Sequence, residues 1–232
     1  MCSIIGYSGL ESAAPILVKG LQKMEYRGYD SVGIATESGK KIVLKKGVGK
    51  VVEVNNSIML DTLPGNIGIG HTRWATHGKV TEKNAHPHSS NSGKIAIAHN
   101  GIIENFEELK SELQNKGYKF QSETDTEVIA NLIQLNFDET MNIKQSIMKT
   151  VNQLKGHYSF VVIFEDGTLV AARFHEPLIV GVGKNSHYIS SDVLGFIEKT
   201  DDAIYVDNED FVIVDGSGIH IFDFDGTSVK YQ

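Results

Sequence analysis

The chain has 232 residues, of which 41% are hydrophobic and 22% charged, and its formal net charge is −7. This apolar content excludes a disordered or collagen-like chain, no apolar run reaches the roughly 20 residues that span a bilayer, and no basic cluster indicates a nucleic-acid surface. With one cysteine, no internal disulfide is possible, and with no secretory signal at the N-terminus we expect a soluble, cytoplasmic protein that binds neither nucleic acid nor membrane.

The first part of the chain is predicted to be rich in strands. Short β-branched runs between turn signals predict strands, and apolar residues spaced three and four apart predict helices. The predicted strands are Ser3–Ser8, Ser31–Glu37, Lys41–Lys46, Asn66–Thr72 and Lys94–His99, and the predicted helices are Ser12–Tyr26 and Val51–Leu60. Between the last two strands, Arg73–Gly93 has no apolar period, which is typical of a functional or disordered loop.

The rest of the chain is predicted as a block of helices followed by strands. The helices are Glu104–Lys116, Thr126–Asn136 and Ile143–Lys155; the strands are Tyr158–Glu165, Thr168–Phe174, Leu178–Val182, Ser186–Ser190, Ala203–Val206, Phe211–Asp215 and His220–Phe224. No internal repeat or Pro-rich linker divides the sequence. Strand runs on either side of helices predict one α+β domain over residues 1–232, with two sheets packed on each other and helices outside.

The single cysteine stands directly after the initiator methionine. Because a small second residue favours removal of Met1, the mature chain could begin with Cys2, which would then carry a thiol and a free α-amine. These groups titrate near 8.5 and near 7.7–8.0, so they pair a nucleophile with a candidate base. The alternative is that Cys2 is only a small apolar residue at the start of a strand.

Three polar segments offer groups that could bind the charged groups of a substrate or stabilise an oxyanion. Arg73, at a predicted strand end, could hold a carboxylate through two hydrogen bonds, and Trp74 could cover a site. Asn100 and the backbone N–H of Gly101 could stabilise an oxyanion, and Asp125 could accept from an ammonium group. The alternatives are a surface arginine, an Asn-Gly turn and a helix cap.

Two further segments stand out by composition. Five of the nine histidines lie between His71 and His99, with His77, His86 and His88 between them. A metal site is the less favoured interpretation, since carboxylates and cysteines at ligand spacing are lacking nearby apart from Glu82. The segment Glu25–Ser31 is too rich in charged and aromatic residues to be only a linker.

The sequence resembles the glutaminase domains of the glutamine–fructose-6-phosphate aminotransferases (isomerising), the glucosamine-6-phosphate synthases, within the class II glutamine amidotransferases. The matching blocks, in chain order, are MCSI, KMEYRGYDS, HTRWATHG, NAHPH, HNGIIEN and SETDTEVIA. The resemblance covers the whole chain. One departure is Ser3, where most members have Gly beside the nucleophile.

This resemblance implies the four-layer αββα sandwich of N-terminal-nucleophile hydrolases, without cofactor or metal. It implies that Cys2 is the nucleophile and that Asn100 and Gly101 hold the oxyanion. The implied glutamine-binding residues are Arg73 for the α-carboxylate, Asp125 for the α-ammonium, and Trp74, Thr76, His77 and His86 around them.

The implied activity is hydrolysis of glutamine to glutamate and ammonia for glucosamine 6-phosphate synthesis, through a cysteine thioester. A sugar-isomerase domain or subunit that takes fructose 6-phosphate is the expected partner and is absent from these residues. The alternatives are a non-catalytic glutamine-binding regulatory module and a glutaminase subunit that serves another ammonia acceptor.

Overall fold

The computed structural model describes residues 2–75 and 78–231, which form two antiparallel sheets. The first sheet has the strand order β11-β9-β10-β1-β4-β2-β3. Its strands are β1 (Ser3–Gly9), β2 (Ser31–Glu37), β3 (Ile42–Val48), β4 (Ile67–Arg73), β9 (Ile179–Val182), β10 (Ser186–Ser190) and β11 (Ala203–Tyr205). Strand β1 is central because its backbone pairs with β4 on one side and with β10 on the other.

The second sheet has the strand order β13-β12-β8-β7-β6-β5. Its strands are β5 (His88–Ser89), β6 (Ile95–Ile103), β7 (Gly156–Phe164), β8 (Leu169–Phe174), β12 (Asp210–Asp215) and β13 (Gly218–Asp223). The long pair β6–β7 is in register from Ile95 opposite Phe164 to Ile103 opposite Gly156.

Helices cover the outer face of each sheet. They are α1 (Ala13–Lys23), α2 (Val51–Ile58), α3 (Phe106–Asn115), α4 (Thr126–Thr140) and α5 (Ile143–Val151), with short 3-10 turns at Glu25–Arg27, Leu60–Thr62 and Val193–Gly195. None of the helices within the described residues combines the length and apolar character that a bilayer crossing would need.

Three apolar clusters account for the layering. One lies between α1, α2 and the first sheet, with Leu17 and Ile5 among its members. One lies between the two sheets and includes Ile69 and Val161. The third packs α3, α4 and α5 on the second sheet and includes Ile129. The result is the α+β, four-layer αββα sandwich that the resemblance implied.

The most consequential difference from the prediction is at the end of β6. The predicted strand stopped at His99, whereas the observed strand continues to Ile103, so Asn100 and Gly101 lie within a strand and not in a turn. Gly101 has a φ of 111°, and an added Cβ would lie 2.0 Å from the His157 carbonyl oxygen. Backbone pairing with β7 therefore requires glycine at this position.

Candidate active site

A cavity of about 200 Å³ opens where β1, β4 and β6 meet the start of α4. Its lining combines a thiol, a guanidinium, carboxylates and backbone groups. The lining residues are Cys2, Arg73, Trp74, His86, His99, Gly101, Ile102, Ile103, Glu104, Phe106, Glu123, Thr124, Asp125 and Thr126. We refer to Cys2, Arg73 and Trp74 as the strand wall. The histidine wall consists of His86, His99, Asp125 and Thr126 together with the buried His71 and His88, whose rings contact His86.

Cys2 is held by three neighbours in space. The Trp74 backbone N–H donates to its Sγ at 3.2 Å, and its own carbonyl oxygen accepts from Arg27 Nε at 3.1 Å and from Asn100 Nδ2 at 3.2 Å. Burial raises the pKa of the thiol, while the Trp74 N–H and the positive charges of Arg73 and Arg27 oppose this shift. The resting sulfur is therefore a neutral thiol, and a reaction at this sulfur needs a base.

The segment Glu25–Ser31 supports the strand wall from behind. The Asp30 carboxylate accepts from the Ala75 N–H at 2.8 Å, and the Asp30 N–H donates to the Arg73 carbonyl at 3.0 Å. The Tyr29 ring meets the Trp74 ring edge-on with centroids 5.5 Å apart. The polar segment that composition left without a role thus fixes the backbone on both sides of Trp74.

The Arg73 side chain lies at the cavity with only 5% of the residue exposed. Its Nη1 donates to the Lys79 carbonyl at 3.3 Å. The carboxylates of Asp30 and Asp125 act on the guanidinium with opposite charge. A buried arginine beside a polar cavity is suited to bind a carboxylate in two-point geometry.

Asn100 joins the two walls. Its Nδ2 donates to the Cys2 carbonyl at 3.2 Å, and its Oδ1 lies 3.1 Å from His71 Nε2. Gly101, and not Asn100, lines the cavity. The Asn100 amide is thus fixed next to Cys2. One of its two amide hydrogens is not used in the hydrogen bond to the Cys2 carbonyl.

Asp125 lines the cavity at the start of α4. Its Oδ2 accepts from the Ile103 N–H at 2.8 Å, and its side chain is 23% exposed. The carboxylate precedes the first turn of α4, where the helix dipole favours negative charge. Asp125 occupies the N-cap position of α4, as the alternative expected, but its side chain makes no capping hydrogen bond there.

Four histidines form a buried group beside the cavity: His71, His86, His88 and His99. The rings of His71 and His86 are stacked with centroids 4.2 Å apart. Burial lowers the pKa of each of the four, to about 3 for His71, so they are neutral near pH 7. Within residues 2–75 and 78–231, no group of three or more His, Cys, Asp or Glu side chains is arranged to hold a metal ion.

Of the site residues that the resemblance implied, six line one cavity: Cys2, Arg73, Trp74, His86, Gly101 and Asp125. Thr76 and His77 lie outside the described residues. Ser3 points away from the cavity, since its hydroxyl donates to the Met24 carbonyl at 3.0 Å in a fully buried position.

Sequence reasoning missed the supporting residues Arg27, Asp30 and Thr126. Arg27 and Asp30 lie in the segment Glu25–Ser31, whose composition was unusual, and Thr126 lies in the SETDTEVIA block. Nothing in composition or spacing indicated what they contact, because each acts on a residue far away in the chain.

Comparison with known proteins places these observations in a family. The family model described as a glutamine amidotransferase domain matches residues 71–197, more than half of the chain. The chain belongs to the glutamine amidotransferase domain family. A glutamine–fructose-6-phosphate aminotransferase (isomerizing) from Pyrococcus horikoshii is 47% identical over 99% of this chain, and one from Methanothermobacter thermautotrophicus is 46% identical over 100% of it. The chain spans only 39% and 40% of the length of those two relatives.

Solved structures agree with the family assignment. The glutamine phosphoribosylpyrophosphate amidotransferase from B. subtilis, complexed with ADP and GMP, superposes with a TM-score of 0.84 at 30% identity. The match covers 96% of this glutamine amidotransferase domain and 49% of that chain. The αββα arrangement is thus shared with a class of enzymes that use glutamine.

Proposed function

We propose that this chain hydrolyses L-glutamine to L-glutamate and ammonia with Cys2 as the nucleophile. The observation that carries the proposal is the composition of one cavity. A half-buried thiol, a guanidinium and carboxylates line the same cavity, and glutamine carries an α-carboxylate, an α-ammonium and a reactive side-chain amide.

The charged groups of the cavity offer a partner for each charged group of glutamine, since Arg73 and three carboxylates, Asp125 among them, line it. Arg73 binds the α-carboxylate and Asp125 binds the α-ammonium. In this proposal the side-chain amide extends toward Cys2, and His86 and Trp74 bound the space around the substrate. Thr76 and His77, from the same HTRWATHG block, are proposed to complete the pocket.

The chemistry follows from a nucleophile that supplies its own base. Removal of Met1 would give Cys2 a free α-amine, which takes the thiol proton as Sγ attacks the amide carbon. The oxygen of the tetrahedral intermediate receives hydrogen bonds from Asn100 Nδ2 and the Gly101 N–H. The amine then protonates the leaving nitrogen, the C–N bond breaks, and ammonia leaves a thioester.

Water resolves the thioester by the reverse proton path. The α-amine takes a proton from water as the hydroxide adds to the thioester carbon. The C–S bond then breaks, the sulfur regains its proton, and glutamate leaves. Neither step requires a metal or an organic cofactor.

The longer relatives suggest what the ammonia is for. They are named glutamine–fructose-6-phosphate aminotransferase, and this chain spans about two fifths of them. We therefore propose that residues 1–232 supply ammonia to a sugar-isomerase domain or subunit that aminates fructose 6-phosphate. A cytoplasmic location remains part of this proposal.

The test is glutamate formation by the purified chain, after intact mass has established that Met1 is removed. Cys2→Ala should reduce glutamate formation by at least about a thousandfold, because the nucleophile is lost. Since the chain has one cysteine, an electrophilic glutamine analogue should add once to the parent and not at all to Cys2→Ala. Ser217→Ala, in the exposed turn before β13, serves as the matched control.

Residual turnover of Cys2→Ala within tenfold of the parent would contradict the proposal. A parent that binds glutamine without turnover would instead indicate a glutamine-binding regulatory module.

A further inference from the structure

Thr126 is the first residue of α4, and its hydroxyl lies among three polar side chains of the histidine wall. Its Oγ1 is 2.9 Å from His99 Nδ1, 3.2 Å from His86 Nε2 and 3.5 Å from Asp125 Oδ1. Thr126 is fully buried. A hydroxyl has one proton and two lone pairs, so these three contacts can be satisfied in only a few ways.

The protonation of His86 follows from its neighbour on the other side. His86 Nδ1 accepts from the His99 backbone N–H at 3.4 Å. That nitrogen must therefore carry a lone pair, which leaves the ring proton of this neutral imidazole on Nε2. His86 Nε2–H then donates to Thr126 Oγ1, and one lone pair of the hydroxyl is used.

The Thr126 proton has two possible acceptors, His99 Nδ1 and Asp125 Oδ1. If it went to His99, the His99 proton would lie on Nε2, which is buried and has no hydrogen-bond partner among the described residues. A buried N–H without a partner is more costly than a buried lone pair without one. A hydrogen bond to a carboxylate is also stronger than one to a neutral nitrogen.

We propose that Thr126 is a positioning residue that collects hydrogen bonds from His86 and His99 and donates its own proton to Asp125. His86 is then the Nε2–H tautomer and His99 the Nδ1–H tautomer. Both Asp125 oxygens are held from behind, Oδ1 by Thr126 and Oδ2 by the Ile103 N–H. The carboxylate itself lines the cavity.

This inference rests on the proposed function, in which Asp125 binds the α-ammonium of glutamine. It assigns to Thr126 and to the two neutral histidines the task of fixing that carboxylate. The preference for glutamine over an analogue without the α-amino group then depends on Thr126, the residue that follows Asp125 in the chain.

The first test is the tautomeric state of the histidines, read from ¹⁵N ring shifts in the parent near pH 7.5. Single His→Gln variants give the assignments. The expected result is a proton on Nδ1 of His99 and on Nε2 of His86. A proton on Nε2 of His99 would overturn the proposal, and this readout needs neither activity nor a Thr126 variant.

The second test compares glutamine with 4-carbamoylbutanoate, which lacks only the α-amino group. Thr126→Val should raise KM for glutamine by roughly ten- to a hundredfold, the effect of one hydrogen bond to a charged group. KM for 4-carbamoylbutanoate and kcat for glutamine should stay within about threefold of the parent. Thr126→Ser keeps the hydroxyl and should retain the parent preference.

Asp125→Asn separates this proposal from the function on which it rests. If Asp125→Asn abolishes the preference for glutamine and a folded Thr126→Val does not change it, the positioning role is wrong while the proposed function stands. If neither variant changes the preference, Asp125 does not bind the ammonium and both assignments fail. If Thr126→Val does not fold, a loss of preference in Thr126→Ser would overturn the proposal.

Discussion

The two walls of the cavity are held in place by different kinds of contact. The strand wall is held largely through backbone atoms, since the Trp74 N–H meets Cys2 Sγ and the Arg73 carbonyl meets the Asp30 N–H. The histidine wall is held largely by contacts between side chains, with the Thr126 hydroxyl among them, and by two backbone N–H donors.

This difference determines what each wall is sensitive to. Backbone contacts depend on close approach, so the strand wall depends on small residues behind it. Contacts between neutral imidazoles and hydroxyls depend on protonation, so the histidine wall depends on pH. The two walls can therefore be perturbed separately, and each of the following predictions tests one of them or the junction between them.

The largest expected effect is loss of stability of the histidine wall in acid. Burial lowers the pKa of His71, His86, His88 and His99 below the usual value near 6.5. Below pH 6.5 the unfolded chain therefore binds protons that the folded chain does not, and the free energy of unfolding falls with falling pH. Each such histidine contributes about 1.4 kcal/mol per pH unit, and for His71 the loss continues down to its folded value of about 3.

Urea unfolding between pH 7.5 and pH 5 measures this loss, in a window above the range where carboxylates titrate. His88→Gln should reduce the proton uptake on unfolding by about one proton. An unfolding free energy that stays level from pH 6.5 to pH 5 would mean that these imidazoles are not buried in neutral form.

Asn100 tests the junction of the two walls. Asn100→Ala removes the amide that donates to the Cys2 carbonyl and accepts from His71, and it should lower kcat for glutamine by roughly 10²–10³.

Arg73→Gln should instead raise KM with a smaller change in kcat, because a carboxylate is bound equally in the ground and transition states. Steady-state kinetics of both variants decide this. The opposite pattern would exchange the two roles.

The fold could largely be predicted from the sequence because its elements are short, regular and separated by clear turn signals. Strands Ser31–Glu37 and Ser186–Ser190 have the predicted bounds. The extension of β6 through Asn100-Gly101 could not be predicted, because Asn-Gly favours a turn locally and only the pairing with β7 overrides that preference.

The candidate site likewise contains residues that the sequence can identify and residues that it cannot. Groups with a characteristic chemistry, such as the Cys2 thiol and the Arg73 guanidinium, can be identified from the sequence alone. Residues that act through contacts far along the chain cannot. Asp30 contacts Ala75, which is 45 positions away in the sequence, and Thr126 contacts His86, which is 40 positions away. Local residue spacing indicates neither contact.

The smallest expected effect comes from adding one methyl group at Gly28, next to the backbone of the strand wall. An added Cβ at Gly28 would lie 2.9 Å from the Arg73 carbonyl carbon and 2.9 Å from the Trp74 nitrogen. Both are backbone atoms, so the close contact can be relieved only by moving the Arg73–Trp74 backbone, whose Trp74 N–H donates to Cys2 Sγ. Gly28→Ala should therefore destabilise the fold by about 1–3 kcal/mol, as overpacking does, and lower kcat for glutamine by roughly ten- to a hundredfold.

Gly216 is the matched control for this change. An added Cβ there meets no heavy atom within 4 Å, so Gly216→Ala should leave kcat unchanged and the urea midpoint nearly so. If Gly28→Ala behaved like Gly216→Ala in both measurements, the backbone of the strand wall would be able to move without affecting the nucleophile. The contrast between a wall fixed by backbone approach and a wall fixed by protonation would then be wrong. A lower kcat with an unchanged urea midpoint would sharpen that contrast, because it would show that the approach of Gly28 matters for the position of Cys2 more than for the fold.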